Sequence, residues 1–169
     1  VEGTAFEKAA EADPRDLWRA HTKLKKELIS RTKASLQASF VRRSDSPLLL
    51  HQMLEGLDDD ALLIGFARRF APYKRAHLLF QDIERLEKIL SSEKRPVRVL
   101  IAGKAHPRDV RGQEILKGVF DRSRSDSLVG RVFFLEDYDM GIARSLGQGV
   151  DVWLNTPTRL MEARGTSGM

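Results

Sequence analysis

The chain has 169 residues, 41% hydrophobic and 31% charged, enough for one globular domain with a real core or for one domain with a helical appendage. It contains no cysteine, which excludes disulfides and thiolate metal centres, and no apolar run approaches the roughly 18 residues of a membrane-spanning helix. The net charge of +5 and pI of about 9.7 admit nucleic acid, anionic lipid or phosphorylated small molecules as partners.

Asp13-Pro14 reads as a helix start, a capping carboxylate followed by proline at the first helical position, with Asp16 in the first turn. Leu17, His21, Leu24 and Leu28 follow at helical spacing, and the helix is expected to run to about Val41, where the sequence SDSP breaks it. A shorter helix is expected over residues 47–54, ending near Gly56. His21 falls on the apolar side and is expected to be a packed, hydrogen-bonded core residue.

Beyond three consecutive aspartates the texture changes. ALLIGFA (61–67), VRVLIAG (97–103), RVFFLE (131–136) and VDVWLNT (150–156) are short apolar runs without alternation, which suits strands buried on both faces. Between them lie helical faces: Leu79, Ile83, Leu86 and Leu90; then Ile115, Leu116, Val119 and Phe120; then Ile142, Ala143 and Leu146. This alternation predicts an α/β fold, a Rossmann-like parallel sheet over residues 61–169 preceded by a helical segment over residues 1–60.

In such sheets ligands bind beyond the carboxyl ends of the strands. The first strand is followed by Arg68, Arg69, Lys74 and Arg75, the one dense cationic cluster. Two guanidiniums and an ammonium suit a phosphate, because arginine grips its oxygens bidentately and lysine adds a point charge. The alternative places Lys74 and Arg75 as solvated residues opening the next helix, where the dipole disfavours cations. The second strand is followed by Lys104, His106 and Pro107, either ligand contacts or the cap and first turn of a helix. Tyr138, after the third strand, either stacks on a flat ligand or packs against a loop. After the fourth strand come Glu162, a candidate acceptor for sugar hydroxyls or an exposed loop glutamate, and the turn GTSG, Gly165, Thr166, Ser167 and Gly168, suited to an anion at a helix start. No histidine or carboxylate spacing suggests a metal, and neither a nucleophile elbow nor an Asp–His partnership is expected.

Taken in order, GFARRFAPYKRA, IAGKAHP, FLEDYDM, GVDVWLNTP and EARGTSGM resemble the α-glucan phosphorylases, and most closely their shorter bacterial and archaeal branch. The resemblance is strong over residues 60–169 and weaker before them. It implies the first half of the second domain of a two-domain GT-B glycosyltransferase, dependent on pyridoxal phosphate, that transfers a terminal glucosyl unit of an α-1,4-glucan to phosphate. By the same resemblance, Arg69 and Lys74 correspond to catalytic phosphate-site residues, and Arg68, Tyr138 and Thr166 to cofactor contacts. Glu162, Gly165 and Ser167 correspond to substrate contacts.

Two departures qualify it. Arg164 stands where the family has serine, and the chain stops at Met169, one residue before the family's Schiff-base lysine. The chain alone is therefore expected to be inactive with maltodextrin and pyridoxal phosphate. Its first residue, Val1, suggests a piece of a longer protein, and the expected setting is cytoplasmic. Glucan and phosphate are the expected partners, without nucleic acid or membrane, and self-association along an unfinished sheet edge is expected. A nucleotide-sugar glycosyltransferase of the same architecture is the alternative; a lysine directly after Met169 in the longer gene would favour phosphorylase. A basic nucleic-acid module is a second alternative, tested by salt-dependent binding to DNA.

Overall fold

A computed structural model describes residues 11–162. The first helix, α1, spans Pro14–Arg43; Asp13 accepts from the backbone N–H of Arg15, and Pro14 occupies the first turn, where no amide donor is needed. It stops at Ser44, whose φ of 54° is left-handed and whose N–H turns back to the carbonyls of Phe40 and Val41. The second helix, α2, spans Pro47–Glu55 and closes at Gly56.

The buried line of α1 differs from the one its spacing predicts. Leu17 is 47% exposed, and the covered positions are Lys25, Leu28, Ile29, Thr32, Leu36, Ser39 and Phe40. Leu17 and Trp18 lie ahead of His21, the first residue of the helix to bond to the sheet, through Asp151.

Strands β1 (Leu62–Ala67), β2 (Val97–Ala102), β3 (Val132–Leu135) and β4 (Val152–Trp153) form one parallel sheet in the order β3-β2-β1-β4. Parallel neighbours need a crossover between them. The connections carry α3 (Ile83–Leu90), α4 (Val110–Ser123) and α5 (Met140–Gly149), so the α/β, Rossmann-like arrangement read from the sequence is present. The helix expected from Leu79 onward is broken. Short 3₁₀ turns occupy Pro72–Lys74 and Ala76–Phe80, separated by Arg75 at φ 50°, and α3 begins only where Asp82 caps the N–H of Arg85. The fourth strand is two residues rather than seven, and Val152 is 44% exposed because β1 is its only strand neighbour among the described residues.

Side-chain alternation divides the core. Leu63, Ala67, Leu100, Ala102, Phe133 and Leu135 face one side, where they pack with Leu28, Leu36 and Phe40 of α1, Met53 of α2 and Leu146 of α5. Phe66, Val99, Ile101, Val132 and Phe134 face the other, with Leu86 and Leu90 of α3 and Val119 of α4. The helical segment, together with α5, thus supplies one of the two layers that cover the sheet.

Polar contacts fasten α1 near both ends. Asp151 accepts from Lys25 Nζ at 2.8 Å and from the N–H of Leu63 at 2.7 Å, and lies 2.8 Å from His21 Nε2. His21 is therefore hydrogen-bonded as expected, but its side chain is 25% exposed rather than in the core, and it does have an aspartate partner. At the other end Arg42 reaches Glu136 and Asp137 at 3.3 and 2.9 Å, while Arg43 and Arg124 share Asp45 at 2.7 and 3.0 Å. The guanidiniums of Arg43 and Arg124 also lie over the rings of Phe40 and Phe120.

Candidate phosphate site

The chain leaves β1 without leaving the sheet. The N–H of Arg68 donates to the Ala102 carbonyl at 3.2 Å, that of Phe70 donates to Lys104 at 2.9 Å, and Phe70 bridges Ala105 in parallel. The loops after β1 and β2 therefore run side by side. The approach is close: a Cβ on Gly103 would lie 2.0 Å from the Arg68 carbonyl oxygen, so only glycine fits there. Phe70, 1% exposed, anchors the loop, and Arg68, two residues before it, is 6% exposed while Arg69 is exposed.

Pro72 then sets a single 3₁₀ turn that ends in Lys74, which is 9% exposed, with its ammonium 4.8 Å from the Tyr73 ring centroid. Lys74 is thus not a solvated helix-opening residue. Arg75 has a different task from its neighbours: its Nε and Nη2 donate to the carbonyls of Thr156 and Pro157 at 2.8 and 3.1 Å. The Thr156 hydroxyl donates to the Lys74 carbonyl at 3.1 Å, and the N–H of Thr158 to Tyr73 at 2.7 Å. Those four bonds lay the chain after β4 on the turn that carries Lys74.

Glu162 arrives by this route. Its Oε2 accepts from Arg68 Nη1 at 2.7 Å and its Oε1 pairs with the Lys74 ammonium. The three side chains are only 5%, 11% and 13% exposed for Arg68, Lys74 and Glu162 respectively. Hydrogen bonding to Lys74 and the Arg68 guanidinium hold the Glu162 carboxyl below the usual glutamate range, burial opposing them. Glu162 is therefore not an exposed loop residue.

A cavity of about 350 Å³ opens beside this cluster, lined by Arg69, Lys104, Ala105, His106, Pro107 and Tyr138. Burial pushes the Tyr138 phenol above its ordinary value. Tyr138 follows Asp137, which sits at φ 55° and is held by Arg42. His106 Nδ1 accepts from the N–H of Arg108 at 3.1 Å, and α4 is capped instead by Asp109, which accepts from Gly112 at 2.9 Å. The His106-Pro107 pair is therefore loop lining the cavity rather than the helix cap. Arg164, Gly165, Thr166 and Ser167 lie outside the described residues. Among the described residues no group of three His, Asp or Glu is placed to hold a metal, and no helix is long and apolar enough to cross a membrane.

No protein-family model matches the chain. Among curated proteins, maltodextrin phosphorylase of Thermococcus litoralis is 46% identical over 154 residues, which is 91% of this chain and 18% of that protein. Glycogen phosphorylase of Aquifex aeolicus is 44% identical over 156 residues, 91% of this chain and 22% of that protein. Glycogen phosphorylase of Mycobacterium tuberculosis is 38% identical over 168 residues, 99% of this chain and 20% of that protein. The chain is a segment of the α-glucan phosphorylase family. It spans about a fifth of the length of these relatives.

Within this segment, two guanidiniums and an ammonium share one rim, two of the three desolvated and bridged by the Glu162 carboxylate, with Tyr138 across the adjoining cavity. Such a set can neutralise an oxyanion whose charge grows during reaction, because the donors are oriented before the anion arrives. The stitch made by Arg75 was not legible beforehand: its partners lie 81 and 82 residues away, and no local pattern distinguishes it from Lys74.

Proposed function

We propose that this phosphorylase segment forms the phosphate side of an α-1,4-glucan phosphorolysis site. In the longer protein a terminal glucosyl unit passes to inorganic phosphate and leaves as glucose 1-phosphate. Arg69 and Lys74 hold the substrate phosphate, Arg68 lies toward the cofactor phosphate, and Glu162 accepts hydroxyls of the sugar. Gly165, Thr166 and Ser167 complete the sugar and phosphate contacts in this reading. The observation that carries it is the convergence of buried Arg68 and Lys74 on a single carboxylate, with Arg69 one residue away and open to solvent.

The residues present fit pyridoxal phosphate. A half-buried tyrosine and three basic side chains line one cavity, which suits a flat ring bearing a phosphate. When bound, the group supplies a phosphate that exchanges protons with the substrate phosphate. The chain's own residues do the electrostatic work: Lys74 and Arg69 stabilise charge on the transferred phosphate, and Tyr138 limits water beside the ring. In this reading the partners are an α-1,4-glucan and inorganic phosphate, and the setting is the cytoplasm.

The test is a chimera in which this chain replaces the matching segment of the Aquifex aeolicus relative. With pyridoxal phosphate, maltodextrin and phosphate it is expected to yield glucose 1-phosphate; a folded, cofactor-loaded chimera without turnover would sink the reading. A further expectation concerns the outer edge of β4, which carries no strand among the described residues. The isolated chain is expected to self-associate there, and sedimentation showing a monomer at every concentration would remove that part of the proposal.

A further inference from the structure

Arg75 is the last member of the cationic cluster after β1, and its surroundings set it apart from the rest. Its Nε and Nη2 donate to the carbonyls of Thr156 and Pro157 at 2.8 and 3.1 Å. Paired N–H groups of this kind are what grips a phosphate bidentately, and here both are occupied by backbone. The Arg75 backbone is left-handed, at φ 50° and ψ 43°. That conformation is unfavourable for a residue with a Cβ, and it marks a place where the surroundings hold a side chain to a task.

The two stretches that Arg75 joins are unequally held. The turn that carries it is fixed by the core on both sides, since Phe70 and Ala76 are 1% and 6% exposed. The chain after β4 has no such support. Its last bond to the sheet runs from the N–H of Leu154 to Gly65 at 2.8 Å. Pro157 has no N–H and biases Thr156 toward extended backbone, and residues 154–158 form neither helix nor strand. Among the described residues, every hydrogen bond that residues 156–158 make outside their own stretch goes to Tyr73, Lys74 or Arg75. Beyond them Leu160 and Met161, 94% and 63% exposed, add no apolar anchorage before Glu162.

We propose that Arg75 is the positioning residue for Glu162: its guanidinium fixes residues 156 and 157 to the Lys74 turn and so sets where the carboxylate meets the sugar. The inference rests on the proposed function, which gives Glu162 that contact. It separates Arg75 from Arg69 and Lys74, which hold phosphate in the same reading, although the cations are near neighbours in sequence. Lysine cannot replace Arg75, because a single ammonium keeps the charge but lacks the planar fork that spans two successive carbonyls.

The test uses both the 169-residue chain and the cofactor-loaded chimera. In the chain, Arg159 is exposed and offers trypsin a site just beyond the fixed stretch. Arg75→Lys is expected to speed cleavage after Arg159 about tenfold, the scale of losing a hydrogen bond from a charged donor. In the chimera, Arg75→Lys and Arg75→Met are expected to lower kcat/KM for maltodextrin about a hundredfold, the scale of a misplaced contact, and to leave KM for phosphate within about twofold. Thr156→Val removes only the hydroxyl bond to the Lys74 carbonyl and is expected to act in the same direction by about fivefold. It carries the measurement if the Arg75 variants do not fold. In a Glu162→Gln background, Arg75→Lys is expected to cost less than about threefold more, because both changes act through one side chain. Wild-type kinetics in Arg75→Lys would show that charge alone matters, and a raised KM for phosphate would make Arg75 a phosphate ligand. Either result overturns the inference and leaves the phosphorolysis reading standing. So would unchanged cleavage after Arg159, or an undiminished loss in the Glu162→Gln background. A chimera that is inactive without any of these substitutions overturns both.

Discussion

Asp151→Ala is expected to lower the stability of the chain by about 3 kcal/mol and to loosen α1 from the sheet, the usual consequence of removing one partner from a buried ion pair. Asp151 sits just before β4 with its side chain 14% exposed, and it satisfies three groups at once. Lys25, 10% exposed, would be left as a buried ammonium without its anion, and the N–H of Leu63 without its acceptor. Asp151→Asn keeps an acceptor for Leu63 and loses only the charge, so it is expected to fall between wild type and alanine.

The pH dependence follows from the same contacts. Burial pushes the Asp151 carboxyl up, but the Leu63 N–H, Lys25 and His21 together outweigh it and hold the group below the ordinary aspartate value. A carboxyl depressed in the folded state contributes fully above its unfolded pKa of about 4 and loses that contribution as pH falls through the lower folded value. Urea unfolding followed by circular dichroism is expected to show wild type weakening over that acid range and Asp151→Ala changing less. A difference between the two at neutral pH within about 0.5 kcal/mol would refute the latch, since that is the range of ordinary surface substitutions. Phosphate affinity is expected to be unchanged, because Asp151 is bonded to Leu63 near the start of β1, and the five residue steps from there to Arg68 span about 17 Å.

What the sequence discloses and what it hides follow from the range of the forces concerned. The start of α1 is written in two adjacent residues, Asp13 and Pro14, because capping is local. Strands β1, β2 and β3 are legible as apolar runs because helices cover both faces of the sheet. Once the strands are placed, the rule for ligands at their carboxyl ends brings Arg68, Lys74 and Glu162 to one rim, and the structure joins all three.

The hidden features depend on distant partners. Leu17 keeps helical spacing with Leu28, yet it is 47% exposed, ahead of His21, where the helix first bonds to the sheet. The break before α3 is invisible in the spacing of Leu79, Ile83, Leu86 and Leu90, since the apolar spacing continues across Asp82, whose backbone at φ −112° and ψ 82° leaves the helix. Lys25 and His21 lie 126 and 130 residues from Asp151, and no local pattern pairs them. The same is true of Glu162 and its two cations, 88 and 94 residues away. The rim could be read from sequence, but the carboxylate's position on Arg68 and Lys74 could not.

In an active chimera, Lys74→Met is expected to lower kcat by about a thousandfold, the size of effect seen when one preorganised electrostatic group is removed from a reacting oxyanion. The substitution isolates the charge. Methionine matches the lysine stem in length and polarity, so the packing of a side chain that is 9% exposed, and its contact with the Tyr73 ring, are largely retained. Lys74 is also the chief cause of the low pKa of Glu162, so its loss lets that carboxyl rise toward its ordinary value and leaves Arg68 as its cation. The pattern of the loss separates two roles. If Lys74 acts on charge that develops during transfer, kcat and kcat/KM for phosphate fall together while KM for maltodextrin stays near wild type. If it only holds ground-state phosphate, KM for phosphate rises and kcat recovers at saturation. Steady-state kinetics with each substrate varied in turn distinguishes them. A kcat within about threefold of wild type at saturating phosphate would remove Lys74 from the catalytic set, because uniform binding alone does not change the chemical step.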